Sequence, residues 1–281
     1  MASNTALIAV KDRGWLDGFG PLWRKECHSW WGSWRWLVTT LVWIAIIDGM
    51  LATVVLLPKA GVAGADQAAS RTEVGNTEES PEQTALMIYF VFAGIVAAYG
   101  LVVFGHETLI DERKMGTAAW VLSKPVSRTA FLLARLSADA LGVLTTMVLV
   151  QGLVAYWVYK AATGIWLPIP GFMAGLALVY LYLVFVLALT LMLGTLFHSR
   201  VPVIGVAMAT VSSGFVPIFL PWLATVMPST LVLSLGSGRP SLAEALAQGH
   251  PPSTLGPIIV TGLLVILFIA VAVVRFQREE F

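Results

Sequence analysis

Few side chains in this chain could do chemistry, and several of them stand where water is scarce. Asp48 lies in the middle of the apolar run WIAIIDGML. An ionisable group at that depth costs at least a few kcal/mol, so it faces a bundle interior or a wet cavity. Two roles fit it: a hydrogen bond to a neighbouring helix, or contact with cargo or a proton. Gln151, deep in a second run, has the chemistry to bond across helices. Ser212 and Ser213 place hydroxyls just ahead of Pro217 and Pro221 in a third. Asp48, Gln151, Ser212 and Ser213 are therefore the candidate pathway residues. Asp139 has Arg135 four positions before it, a spacing that makes a local ion pair the simplest account.

Catalysis finds little support. His106 and His198 fall at the ends of apolar runs and His250 in a polar connector, so paired axial haem ligands on facing helices are not expected. Cys27 is the single cysteine, which leaves no disulfide and no cysteine metal cluster. Asp111 and Glu112 are adjacent rather than facing, and suit a helix-terminal charge cluster better than acid–base machinery. There is no GxSxG nucleophile turn and no GxxxxGK[ST] phosphate loop. No catalytic, cofactor-binding or metal-binding residue is expected, and the chain reads as a non-enzyme.

One polar stretch is different. Residues 107 to 128 read ETLIDERKMGTAAWVLSKPVSR. Met115, Ala118, Ala119 and Leu122 recur at i, i+3, i+4 and i+7, which predicts a short amphipathic helix. Asp111, Glu112, Arg113 and Lys114 precede it, and Pro125 stops it. Ser127 is an N-cap candidate for the next helix, which carries Arg128 and Arg135 onward.

The elements that must position these residues are read from composition. Hydrophobic residues make up 58% of the 281 and charged ones 12%, against roughly 25% charged in soluble domains; mean hydropathy is +0.83. A helix needs about 20 apolar residues to cross the hydrocarbon layer. Six runs qualify: about 37–57, 85–105, 136–159, 173–197, 201–223 and 255–274. The expectation is an all-α membrane protein forming one transmembrane domain over 1–281, with 1–36 as a tail and interfacial helix. The first apolar run begins too late for a cleavable signal peptide.

Basic residues set the orientation. The N-terminal tail, the 106–135 loop, Arg200 and the C-terminal tail hold thirteen of the 17 Lys and Arg, and the other side holds Lys59, Arg71, Lys160 and Arg239. Both termini and the polar stretch are thus expected in the cytoplasm, with the acidic 58–84 loop outside. A net charge of +1 gives no nucleic-acid footprint. Trp23, Cys27, Trp30, Trp34, Leu37 and Leu41 recur at steps of three and four, the stripe of an amphipathic helix lying in the interface; an aromatic belt on a longer first span is the alternative. In the outer connector, Ser241-Leu-Ala-Glu244 is a capping box, which predicts a short helix over 242–248 ending at Gly249. Pro217 and Pro221 predict a kinked fifth span. Gly171 and Gly175 form a GxxxG that permits close packing without identifying a partner.

The polar stretch resembles the first cytoplasmic loop of type-2 ABC transporter permeases. Glu107, Asp111, Glu112, Arg113, Gly116, Thr117, Leu122, Pro125, Val126, Ser127 and Arg128 carry the likeness, and Lys25-Glu26 resembles the start of that family's connecting helix. Six spans with both ends inside also match, whereas the Trp-rich N-terminus departs from the pattern. The resemblance implies an ATPase-coupling loop formed by Glu107, Asp111, Glu112, Arg113, Lys114, Met115, Gly116, Thr117, Pro125 and Arg128. It further implies two copies of a cytoplasmic ABC ATPase that bind ATP and magnesium, a second or homologous permease, membrane lipid around the spans, and the cytoplasmic (inner) membrane as location. An ATP-driven exporter is the expected function. A self-contained secondary transporter using Asp48 is the alternative, although such proteins often show internal repeats and none is evident here. A membrane enzyme or redox anchor is a third class and lacks a supporting constellation.

Overall fold

The computed structural model describes residues 14–56, 81–105, 126–234 and 239–278. Among these residues every regular element is helical. A leading helix α1 (Phe19–Trp31) precedes six helices long and apolar enough to cross a membrane: α2 (Trp36–Leu56), α3 (Gln83–Val103), α4 (Arg128–Thr163), α5 (Ile169–Leu196), α6 (Arg200–Ile218) and α8 (Gly256–Gln277). A short helix α7 (Leu242–Ala247) stands before the last of them. This is the make-up of a multi-pass membrane protein.

The apolar runs and the helices agree closely, with one informative difference. α4 has 36 residues, about 54 Å at 1.5 Å per residue, well beyond the roughly 30 Å of hydrocarbon it must cross. The excess lies at its N-terminal end, where Ser127 accepts a hydrogen bond from the Ala130 amide (3.0 Å) as the N-cap. Arg128 and Arg135 ride on that extension, and Asp139 follows one turn after Arg135. Hydropathy alone starts the span near residue 136 because the first turns of α4 carry Arg128 and Arg135.

α5 is the central helix. Two thirds of its apolar window (67%) is buried, against 17% for α8. It packs against α8, α7, α3, α6 and α4. The GxxxG finds its partner here within the chain. A Cβ on Gly171 would sit 2.3 Å from the Leu246 carbonyl oxygen, and one on Gly175 would sit 2.7 Å from that of Ala243. The two glycines let α7 lie backbone-to-backbone on α5. α7 itself has the expected cap, Ser241 Oγ accepting from the Glu244 amide (3.2 Å), and ends at Ala247, with Gln248 as its C-cap and the left-handed Gly249 beyond.

Prolines and glycine break α6 where expected. Its α-helix ends at Ser212, a tighter 3-10 turn runs over Ser213–Ile218 with Pro217 inside, and a second follows at Pro221–Thr225. The Gly214 carbonyl freed by the break accepts from Ser229 Oγ (2.9 Å). Three other spans widen instead: α2 at Ile44–Asp48, α3 at Phe92–Val96 and α4 at Leu144–Leu149 each make a π turn.

The tryptophan stripe is divided rather than continuous. α1 stops at Gly32, whose amide donates to the His28 carbonyl (2.7 Å), and α2 restarts beyond Trp34. Trp30 packs on α4, while Trp34 and Leu41 are exposed.

Candidate functional site

The polar stretch leaves its mark where it re-enters the described chain. Glu107, Asp111, Glu112, Arg113, Lys114, Met115, Gly116, Thr117 and Pro125 lie outside the described residues. Val126, Ser127 and Arg128 lie inside them, and each is held.

Ser127 is fastened in three directions. Its amide donates to the Asp17 carbonyl (3.0 Å), its hydroxyl donates to the Trp15 carbonyl (2.6 Å), and the same oxygen caps α4. Val126 lies against Gly18, where a Cβ would come within 2.9 Å of the valine methyl. Gly18 also has φ +82°, a left-handed conformation that favours glycine. The segment entering α1 and the exit of the polar stretch are thus hooked together. Arg128 Nη1 donates to the Gln277 carbonyl at the end of α8 (2.8 Å), and Gln277 Nε2 returns a bond to Thr129 Oγ1 (2.8 Å). Phe131 and Phe276 stack just above, with centroids 5.9 Å apart.

A second tie sits higher on the same face. Trp30 Nε1 donates to Asp139 Oδ1 (3.0 Å), while Arg135 Nε stands 3.8 Å from Asp139 Oδ2. The expected ion pair is present, and the indole completes it. The i,i+4 spacing made Arg135 visible; a partner 109 positions away gives no local signal. Trp30 reaches the carboxylate because Gly142 leaves its ring room, a Cβ there falling 2.9 Å from the ring. The α1 thiol Cys27 is pushed above its ordinary range, first by burial and then by the negative charges of Glu26 and Asp139. An apolar groove of about 440 Å³ opens beside this foot, between Trp15, Leu16, Phe19 and the α4–α5 residues Leu136, Ala140 and Val184.

The candidate pathway residues are scattered rather than gathered. Gln151 is fully buried and donates through Nε2 to the carbonyls of Thr146 (2.9 Å) and Thr40 (3.3 Å), which fastens α4 to α2. Ser212 shares a hydrogen bond with the Tyr99 hydroxyl (2.9 Å), linking α6 to α3, and Ser213 donates to the Thr210 carbonyl one turn back (2.7 Å). Asp48 differs from all of these: it is 3% exposed, and neither carboxyl oxygen has a hydrogen-bond partner among the described residues. Tyr89, 1% exposed on α3, also leaves its hydroxyl unpartnered there. Tyr89 escaped the sequence reading because a buried tyrosine in an apolar helix looks like core. Among the described residues no group of three or more His, Cys, Asp or Glu could hold a metal ion.

Comparison with curated proteins finds no match. The family model described as "Protein of unknown function (DUF2705)" matches residues 70–281, which takes in every spanning-length helix except α2 together with the whole foot of α4. With well over half of its length matched, the chain belongs to the DUF2705 family.

Proposed function

We propose that this chain is the membrane subunit of an ATP-driven transporter of the type-2 ABC class, in which a separate cytoplasmic ATPase drives the spans through the 107–128 loop. The observation that carries the reading is the three-way fastening of the loop's exit, where Ser127 and Arg128 tie it to the α1 entry, the α4 start and the α8 end. A push on the loop at that point moves three elements together. A slack connector obeying only the charge rule needs no such ties.

In this reading both termini and the loop face the cytoplasm, as the distribution of Lys and Arg favours. Two ATPase copies bind ATP and magnesium, and the chain works with a second copy or a homologous permease in the inner membrane. Export is the direction favoured by the resemblance. The chain itself supplies no phosphate loop, so hydrolysis belongs to the partner. The test is co-purification in mild detergent with ATPase activity assayed on the eluate, comparing the native chain with Glu112→Ala combined with Arg113→Ala.

A second reading rests on Asp48. A buried carboxyl without a described partner suits an ion-coupled secondary transporter. That reading leaves the fastening of the loop without a purpose, and is the weaker of the two.

A further inference from the structure

Two polar groups from facing helices are buried at one level of the bundle, and the coupling reading uses neither. α2 and α3 run antiparallel: Trp43 stands over Gly100 toward one end, while Gly49–Leu56 packs on Pro81–Val91 toward the other. Asp48 lies eight residues before the end of α2 and Tyr89 six residues after the start of α3, so each is about 9–12 Å from the same end at 1.5 Å per residue.

Each residue adjoins a widened turn, Asp48 closing the π turn Ile44–Asp48 and Tyr89 preceding Phe92–Val96. Such turns recur at functional sites because they free backbone groups and re-aim side chains. The Asp48 turn itself packs on Val150–Thr163 of α4. Its titratable groups are engaged elsewhere. The Tyr156 hydroxyl donates to the Leu167 carbonyl, Lys160 donates to the Gly164 carbonyl and lies over Trp166, and Tyr159 has an interaction of its own. Among the described residues neither Asp48 oxygen has a hydrogen-bond partner.

An ionised carboxylate without a cation or a donor is among the most costly things to bury. Something must neutralise it. With 3% and 1% of their surfaces exposed, Asp48 and Tyr89 leave no room for a hydrated ion, and a proton needs none. We propose that Asp48 and Tyr89 form a proton-binding site within the membrane. Uptake from the aqueous phase forms one O–H bond on the Asp48 carboxyl and removes one negative charge from the interior. Release breaks that bond and returns the proton to water, leaving a carboxylate with the Tyr89 hydroxyl at its level on the facing helix. The site does not rest on the ATPase reading, and it holds whichever energy source drives the chain.

The test is infrared spectroscopy of the purified full-length chain in lipid nanodiscs across a pH series. The expected result is a carboxylic-acid carbonyl band at neutral pH that is missing from Asp48→Asn, fades as pH rises, and fades at a different pH in Tyr89→Phe. Identical spectra for the native chain and Asp48→Asn in that region overturn the site. A titration unmoved by Tyr89→Phe overturns the pairing. Should Asp48→Asn fail to fold, dicyclohexylcarbodiimide serves on the native chain, since it adds only to protonated carboxyls. The acid proton passes to its nitrogen, the carboxyl oxygen bonds its central carbon, and rearrangement leaves a stable N-acylurea that mass spectrometry maps. Modification of Asp48 that slows as pH rises supports the site; an unmodified Asp48 at low pH, in a chain that is modified there once denatured, overturns it. None of these readouts involves ATP, so their failure leaves the coupling reading intact.

Discussion

The foot of α4 and the middle of α2 each carry a carboxylate, and the two are treated in opposite ways. Asp139 has an indole N–H on one oxygen and a guanidinium facing the other. Asp48 has neither. At the foot, polar groups are used as fasteners, and nearly every one is matched to a partner from another element. In the middle of the membrane the same chemistry is left unanswered at a standing cost in stability. A satisfied polar network fixes geometry, whereas an unsatisfied group persists where function needs it to change state.

Leucine at each carboxylate sharpens the contrast most. Asp139→Leu strips Trp30 of its acceptor and Arg135 of its carboxylate, and is expected to destabilise the chain by about 1.5–3 kcal/mol, the range for hydrogen bonds to charged groups. Asp48→Leu removes an unanswered buried polar group and is expected to stabilise by about 1–3 kcal/mol. Thermal unfolding in a single detergent reads both. Equal losses at the two positions would erase the comparison.

Ser127→Ala probes the fastening itself. It removes the α4 cap and the bond to the Trp15 carbonyl together, with an expected loss of about 0.5–2 kcal/mol. Hydrogen exchange should quicken at Ala130 and in the first turn of α4 while α5 stays protected. An unchanged pattern would mean that the tie is incidental.

Much of this was legible in the sequence, for reasons that differ from residue to residue. The spans could be read because twenty apolar residues have little else to do in water, and the Ser241 cap because its partner lies three positions away. The i,i+4 pair of Arg135 and Asp139 is local in the same sense. Trp30 on Asp139, Gln277 on Thr129 and α7 on the glycines of α5 were not legible: each joins residues far apart in the chain, and periodicity holds no information about which helix faces which. The loop likeness singled out Arg128 but held no sign of its contact, the carbonyl of Gln277.

The smallest expected effect is at Cys27. Burial, then Glu26 and Asp139, push its thiol up, so little thiolate is present at neutral pH and maleimide labelling should be slow. The rate should climb as pH rises toward the raised value, because only the thiolate attacks. Glu26→Gln removes one of the opposing charges and should speed labelling modestly at neutral pH. Labelling that is already fast and flat with pH would place α1 away from α4 in solution.

The central claim, that the 107–128 loop is gripped by an ATPase, is tested most directly by purifying the tagged chain from chemically cross-linked native membranes and assaying ATPase activity and composition of the eluate. The account predicts a co-purifying soluble ATPase that is lost from Glu112→Ala combined with Arg113→Ala, while the chain still inserts in the membrane. An eluate free of ATPase, or an ATPase retained equally by the variant, would contradict it.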